Sequence, residues 1–235
     1  MTAHEWGTAP EFVGPRHELR ERLLLDLLLS ASPGRRVLDA GAGQGSMSAR
    51  LERLGFEVTS ADASGAAVEV LRDRLRGEVH QASVTELPFA DASFDAAVLG
   101  EVLEHVEEDG AALAEVARVV RPGGVVALSV PADPHLFGPS DEWAGHVRRY
   151  SREALLDVCD AAGLVVERCS AWGFPLSRLY HRHVYERYLD RHGPSRPGGR
   201  HRPLVALLGV LLQVDRLFVG VERGALGYLL LATRP

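Results

Sequence analysis

The sequence predicts an α/β fold: a doubly wound, mostly parallel seven-stranded sheet, with an N-terminal helix and a helical insertion before the last strand. Three observations carry this expectation. Short apolar runs at 36–39, 57–62, 78–82, 96–99 and 125–130 alternate with segments whose apolar residues recur at helical spacing, the pattern of parallel strands joined by crossover helices. The run at 96–99 is apolar on both faces, as a central parallel strand must be. The first strand ends in RVLDAGAGQG over residues 36–45, where it breaks into glycines and then into a helix. The 235 residues suit one domain with ample core.

Taken in order, residues 1–14 carry Trp6 and Phe12 between Gly-Pro breaks. An arm folded over a site and a frayed terminus both fit. Leu19, Leu23, Leu24, Leu27 and Leu28 then mark a helix over 16–30, ended by Ser32-Pro33-Gly34. Helices follow at 46–54 and 65–76, stopped by Gly55 and Gly77, and at 109–120, stopped by Arg121-Pro122-Gly123-Gly124. Ser151 caps a helix over 152–162, and strands at 164–170 and 228–232 close the chain. The single domain 1–235 divides into arm and helix (1–30), core (31–172), insertion (173–226) and last strand (227–235). Some fifty residues separate the last two strands, far more than a hairpin needs.

Composition excludes several chemistries. The net charge of −6 argues against a nucleic-acid surface. All 26 basic residues are Arg, so a Schiff-base or phosphate-loop lysine is ruled out. The two cysteines fit neither a disulfide framework nor a zinc site. The acidic N-terminal stretch, broken by Pro10 and Pro15, is no signal peptide, and the expected location is cytoplasmic.

The chemistry gathers at the ends of the strands. Glycine in the 41–45 loop permits positive φ and close approach of backbone to a ligand, beside the unpaired N–H groups of a helix start. Asp39 stands two residues before the first glycine, where it can face ammonium or hydroxyl groups. Asp62 closes the second strand, at the spacing at which nucleotide folds place a ribose-binding carboxylate. A structural turn with a capping Asp is the plainer reading of the same residues.

At Asp39, Gly41, Gly43 and Gly45 the chain resembles the class I S-adenosylmethionine-dependent methyltransferases, whose first motif is acidic-x-Gly-x-Gly-x-Gly. Leu87-Pro88-Phe89, Ser93-Phe94-Asp95 and the Arg-Pro-Gly-Gly turn extend the likeness, which runs from Val37 to Leu164 and points to the small ubiquinone-biosynthesis-like group. The resemblance implies a Rossmann-like methyltransferase fold closed by an antiparallel hairpin, with S-adenosyl-L-methionine as cofactor. It assigns the methionine end to the loop of Asp39, Gly41, Ala42, Gly43 and Gly45, the ribose to Asp62 with Ala63 beside it, and the adenine to Ser83 and Val84. The family often has Asp-Ala where this chain has Ser83-Val84, and a hydroxyl accepts more weakly. Gly100 and Glu101 fall where cofactor and acceptor meet.

After the fifth strand the chain reads PADPHLFGPSDEWAGHVRRY. Here His146 is the first candidate general base and His105 the second, since an imidazole accepts a proton near neutral pH. Arg148, Arg149 and Tyr150 either grip an anionic acceptor or pair with Asp141 and Glu142 to close a lid. In the insertion, Tyr180, Val184 and Tyr188 share a helix face, and Tyr180 is a candidate acceptor contact. His181 and His183 are two apart and diverge on a helix, so no metal is expected. A loop at 193–203 precedes the apolar segment LVALLGVLLQVDRLFVGV, which is too interrupted to span a bilayer. It suits a roof over an apolar acceptor pocket or a packing helix, with a homodimer interface and weak membrane-surface contact as alternatives.

The function expected from these readings is methyl transfer from S-adenosylmethionine to a small or lipid-like acceptor, at oxygen, in secondary or cell-envelope metabolism. A nicotinamide-dependent oxidoreductase and a non-catalytic cofactor-binding relative are the alternatives. A magnesium-dependent catechol-type enzyme lacks clustered Asp or Asn ligands in the sequence.

Overall fold

The computed structural model describes residues 14–187 and 202–235. The expectations for the arm with Trp6 and Phe12, for Tyr188 and for most of the 193–203 loop lie outside the described residues. Seven strands form one sheet in the order β3-β2-β1-β4-β5-β7-β6. β1 (Arg36–Ala40), β2 (Glu57–Asp62), β3 (Glu78–Gln81), β4 (Phe94–Gly100) and β5 (Val120–Pro131) run parallel. β7 (Gly227–Thr233) wedges antiparallel between β5 and β6 (Val165–Trp172), giving the expected hairpin.

Period-two alternation sorts the core onto two faces. In β4, Ala97 and Leu99 face a layer containing Leu113, Val116 and Leu155, while Ala96 and Val98 face Leu19, Leu24, Leu28 and Leu51. All four strand residues are fully buried, which is why the run reads as apolar on both sides. The first layer comes from α4 (Asp109–Val119) and α6 (Arg152–Ala161). The second comes from α1 (Pro15–Ser30) and α2 (Ser46–Arg53), while α3 (Gly65–Arg74) packs on the β2–β3 edge. Element boundaries match the sequence expectation within a residue or two except at β5. There Val120 already pairs with Phe94, so the Arg-Pro-Gly-Gly turn is a bulge within the strand and not a break before it. Asp95 holds the bulge by accepting from Arg121 Nε at 2.8 Å and from the Arg36 amide at 2.9 Å.

The helices that follow β5 fall into separate places. α5 (Pro139–Ala144) lies before β6 in the loop that follows β5. Beyond β6, α7 (Leu176–Tyr180) continues as a wider π-type turn, His181–Tyr185, over the carboxyl ends of the strands. α8 (Arg202–Leu212) instead packs along α1, with Leu212 buried between them and Leu207, Val210 and Leu217 exposed. Packing, rather than roofing, is therefore what the apolar segment does. No helix among the described residues is long and apolar enough to cross a membrane.

Candidate active site

A cavity of about 790 Å³ opens beyond the carboxyl ends of β1, β2 and β4, where ligands bind in doubly wound sheets. The sequence candidates Asp39, Gly41, Ala42, Gly43, Asp62, Ala63, Ser83, Val84, Gly100 and Glu101 all line it. So do His105, His146, Arg149 and Tyr180.

At one end the glycine loop is tied to β2. Asp62 accepts from the amides of Gly43 at 2.8 Å and Ser64 at 2.9 Å, joining the two loops that flank the cavity floor. Burial outweighs those two bonds and raises the pKa of Asp62. Asp39 is buried deeper. Burial pushes its pKa up to about 7 despite a bond from Ser48, and the nearby Glu21 and Asp62 carboxylates add to the rise. A cationic ligand here would relieve that penalty. Gly41 has φ +76°, and a Cβ there would meet Val102 at 2.5 Å, so both conformation and space demand glycine.

Gly45, expected beside the cofactor, has a turn-making place in the structure. It starts α2 with φ +78°, and a Cβ there would strike Leu71 at 2.6 Å; it lies outside the cavity lining and serves the turn and the packing of α2 on α3.

At the other end, the loop after β5 folds back over β4. The Val147 amide donates to the Glu104 carbonyl at 2.7 Å, which sets His146 beside the short turn Leu103–His105. Asp141 accepts from the Gly138 amide, from His146 Nδ1 at 2.8 Å, and from Arg149 Nε through both its oxygens at 2.9 Å. Burial disfavours its charge, but His146 and Arg149 outweigh burial and hold its pKa below the ordinary value. Burial, with His146 adding to it, lowers His105 to about 4. Glu104 is fully buried; burial and then the Glu101 carboxylate raise its pKa well above the ordinary value. Glu101 stands at the end of β4 with φ +61°, a conformation that a residue with a side chain seldom adopts, and pairs with Arg20 at 3.3 Å.

Two of the three loop residues expected to touch the acceptor do not reach it. Arg148 donates to Asp109 Oδ2 at 2.8 Å and to the Glu107 carbonyl at 2.8 Å, outside the lining. Tyr150 is buried, and its hydroxyl donates to the same Asp109 at 2.7 Å. Both anchor the loop to α4, because Asp109 is the acceptor they share. Arg149 lines the cavity but is spent on Asp141, so the lid-closing alternative describes it. The aromatic wall includes residues beyond the expected acceptor contact Tyr180: Trp143, Trp172, His181 and Tyr185 join it. Arg16 stacks over Tyr185 at 5.0 Å and donates to His181 Nδ1 at 2.7 Å, so α1 closes the chamber against the π-type turn. His183 is exposed while His181 is buried, confirming that the two diverge.

A family model for a methyltransferase domain matches residues 38–128. The chain is 34% identical over 167 residues to the ubiquinone/menaquinone biosynthesis C-methyltransferase UbiE of Vibrio vulnificus, covering 66% of this chain and 64% of that protein. It is 31% identical over 193 residues to the ubiquinone biosynthesis O-methyltransferase of Hahella chejuensis, covering 69% of this chain and 80% of that one. Among solved structures it shares its fold with the [4+2]-cyclase SpnF, with a TM-score of 0.64 at 22% identity over 100% of this chain and 87% of that one. The chain belongs to the class I S-adenosylmethionine-dependent methyltransferases, in their ubiquinone-biosynthesis-like group. The residues present fit the family's cofactor: Asp39 is a buried carboxylate that a cation would relieve, Asp62 stands at the end of β2 for a diol, and the Gly41–Gly43 turn admits close backbone approach.

Proposed function

We propose that this chain methylates a hydroxyl oxygen of a flat, apolar, quinone-like or lipid-like acceptor, in secondary or cell-envelope metabolism. The observation that carries the reading is the continuity of one chamber. The glycine loop with Asp39 and Asp62 forms one end, and the Asp141–His146 pair within an aromatic wall forms the other.

S-adenosylmethionine, when bound, supplies an electrophilic methyl group on a sulfonium. The chain's own residues hold, orient and deprotonate. Trp143, Tyr180 and Tyr185 offer planar faces to a ring acceptor. Orientation of two reactants in one chamber supplies several kcal/mol of the barrier. Asp141 accepts from His146 Nδ1, which fixes the tautomer and turns Nε2 into the proton acceptor. Arg149 keeps Asp141 ionised while His146 takes the proton. His105, held neutral by burial, does not repel the imidazolium that forms. The names of two relatives support a quinone-like acceptor: one is a ubiquinone/menaquinone biosynthesis C-methyltransferase and the other a ubiquinone biosynthesis O-methyltransferase.

The test is to incubate the purified protein with S-adenosylmethionine and a panel of catechols, hydroquinones and polyprenylated phenols. S-adenosylhomocysteine should form together with a methyl ether. Methylation at ring carbon would move the reading to C-methyl transfer. Binding of a nicotinamide cofactor in place of S-adenosylmethionine would sink it.

A further inference from the structure

Arg16, Arg20 and Arg149 line the chamber, and the last two have carboxylate partners. Arg149 holds Asp141 through both of its oxygens, and Arg20 pairs with Glu101. Arg16 is half-buried, yet among the described residues no carboxylate lies within ion-pair distance of it. Its contacts are aromatic. The guanidinium covers Tyr185 at 5.0 Å, and Nη1 donates to His181 Nδ1 at 2.7 Å. A guanidinium has five N–H donors, so this bond leaves most of them available. A charge drawn partly out of water is costly unless an opposite charge meets it.

His181 does not provide that charge. It is buried, and burial, then Arg16 and Arg149, lower its pKa to about 2, so the imidazole is neutral and accepts from Arg16. Its Nε2 lies 3.2 Å from Glu186 Oε1, and Ser140 donates to the same oxygen at 2.7 Å. Glu186 therefore meets the imidazole and not the guanidinium. Tyr180 and Tyr185 stand on the same side and line the cavity. Burial raises both phenol pKa values and Arg16 only opposes the rise, so both stay protonated as hydrogen-bond donors.

We propose that Arg16 is a specificity residue that pairs with a carboxylate on the ring of the acceptor, with Tyr180 and Tyr185 as neighbouring donors. The planar fork of an arginine matches a carboxylate, and its edge can make two parallel bonds while its face stays on Tyr185. One charge suits the place better than the two of a phosphate, because a single guanidinium faces it and Glu186 lies behind the imidazole. This inference rests on the acceptor reading above and narrows it to aromatic hydroxy acids. The sequence expectation placed an anion-gripping arginine after β5, but Arg148 and Arg149 are engaged by Asp109 and Asp141, and α1 supplies the cation instead.

The test compares protocatechuate with its primary amide as methyl acceptors, each also with a polyprenyl chain on the ring. The two differ in charge and hardly in shape. The acid is expected to have a KM roughly 10–100-fold below that of the amide, with kcat within a few-fold. Arg16→Gln should remove most of that gap and Arg16→Lys should restore part of it. Arg22→Gln, at an exposed arginine of the same helix, should leave it intact. Thermal unfolding accompanies each variant, and the comparison of acid with amide needs no variant. The assignment of Arg16 is overturned by an amide methylated as well as the acid, or by a gap that survives Arg16→Gln. It is also overturned if Arg16→Gln weakens S-adenosylhomocysteine binding at least tenfold, which would seat the guanidinium on the cofactor. The dimethyl ethers of both compounds, which have no hydroxyl to methylate, are titrated by calorimetry into protein holding S-adenosylhomocysteine. Acid-selective binding without methyl transfer leaves Arg16 its role and removes O-methylation; methyl transfer indifferent to the acid does the reverse.

Discussion

In the unliganded chain the Asp39 carboxyl has its pKa near 7, so it is largely protonated under mildly acidic conditions. A cationic cofactor favours the ionised form, so binding must release a proton wherever Asp39 was still protonated. Affinity for S-adenosylmethionine is therefore expected to rise as pH climbs toward about 7 and to level off above it. Calorimetry from pH 5.5 to 8.5, in two buffers of different ionisation enthalpy, reads the proton directly; Asp39→Asn should flatten the profile. Stability has its own sign. A carboxyl whose folded pKa is raised binds more protons folded than unfolded, so its penalty is absent below the unfolded value of about 3.9 and complete above about 7. Asp39→Asn should gain stability relative to the parent across that window. At the acceptor end, His146→Ala should lower turnover roughly 10²–10⁴-fold with cofactor affinity unchanged. Asp39, Asp62 and His146 were legible in the sequence because motif and strand-end position name them. Asp141 was legible as a partner of Arg149 but not of His146, and the orphaned state of Glu104 exists only once β4, its turn and the loop after β5 are assembled.

At the scale of elements, α7 is fastened from below by one side chain. Asp215, in the turn after α8, is buried and accepts the amides of Leu176 at 2.8 Å and Ser177 at 2.7 Å. A carboxylate on the unpaired N–H groups at a helix start neutralises both donors and suits the helix dipole. Asp215→Ala is expected to cost about 1–3 kcal/mol by leaving two amides without their acceptor. Because α7 and its π-type turn carry Tyr180, His181 and Tyr185, the same change should raise KM for the acceptor while leaving S-adenosylhomocysteine affinity within about twofold, measured by denaturant unfolding and steady-state kinetics. The β/α alternation was readable because each strand and crossover helix has its own period. The placement of α8 was not, since a segment apolar nearly all round does not say which side it buries. Here α1 takes one side, and Leu207, Val210 and Leu217 are left outward.

Across the whole molecule, the cavity draws on elements far apart in sequence: α1, the loops after β1, β2 and β4, the loop after β5, and the turn after α7. A ligand that touches several of these at once must resist their separation, so binding should appear as global stabilisation. Occupancy at a hundred times Kd adds about 2.7 kcal/mol. For a chain of this size each kcal/mol moves Tm by roughly 2–4 °C, giving an expected rise of about 5–10 °C with S-adenosylhomocysteine. NAD should give none. Asp62→Ala is the critical variant, because Asp62 both faces the cavity and joins the Gly43 and Ser64 amides. Its loss should lower the unliganded Tm slightly and abolish most of the ligand-induced rise. A full rise in Asp62→Ala would place the cofactor elsewhere in the chamber, and a rise with NAD would reassign the loop to a dinucleotide.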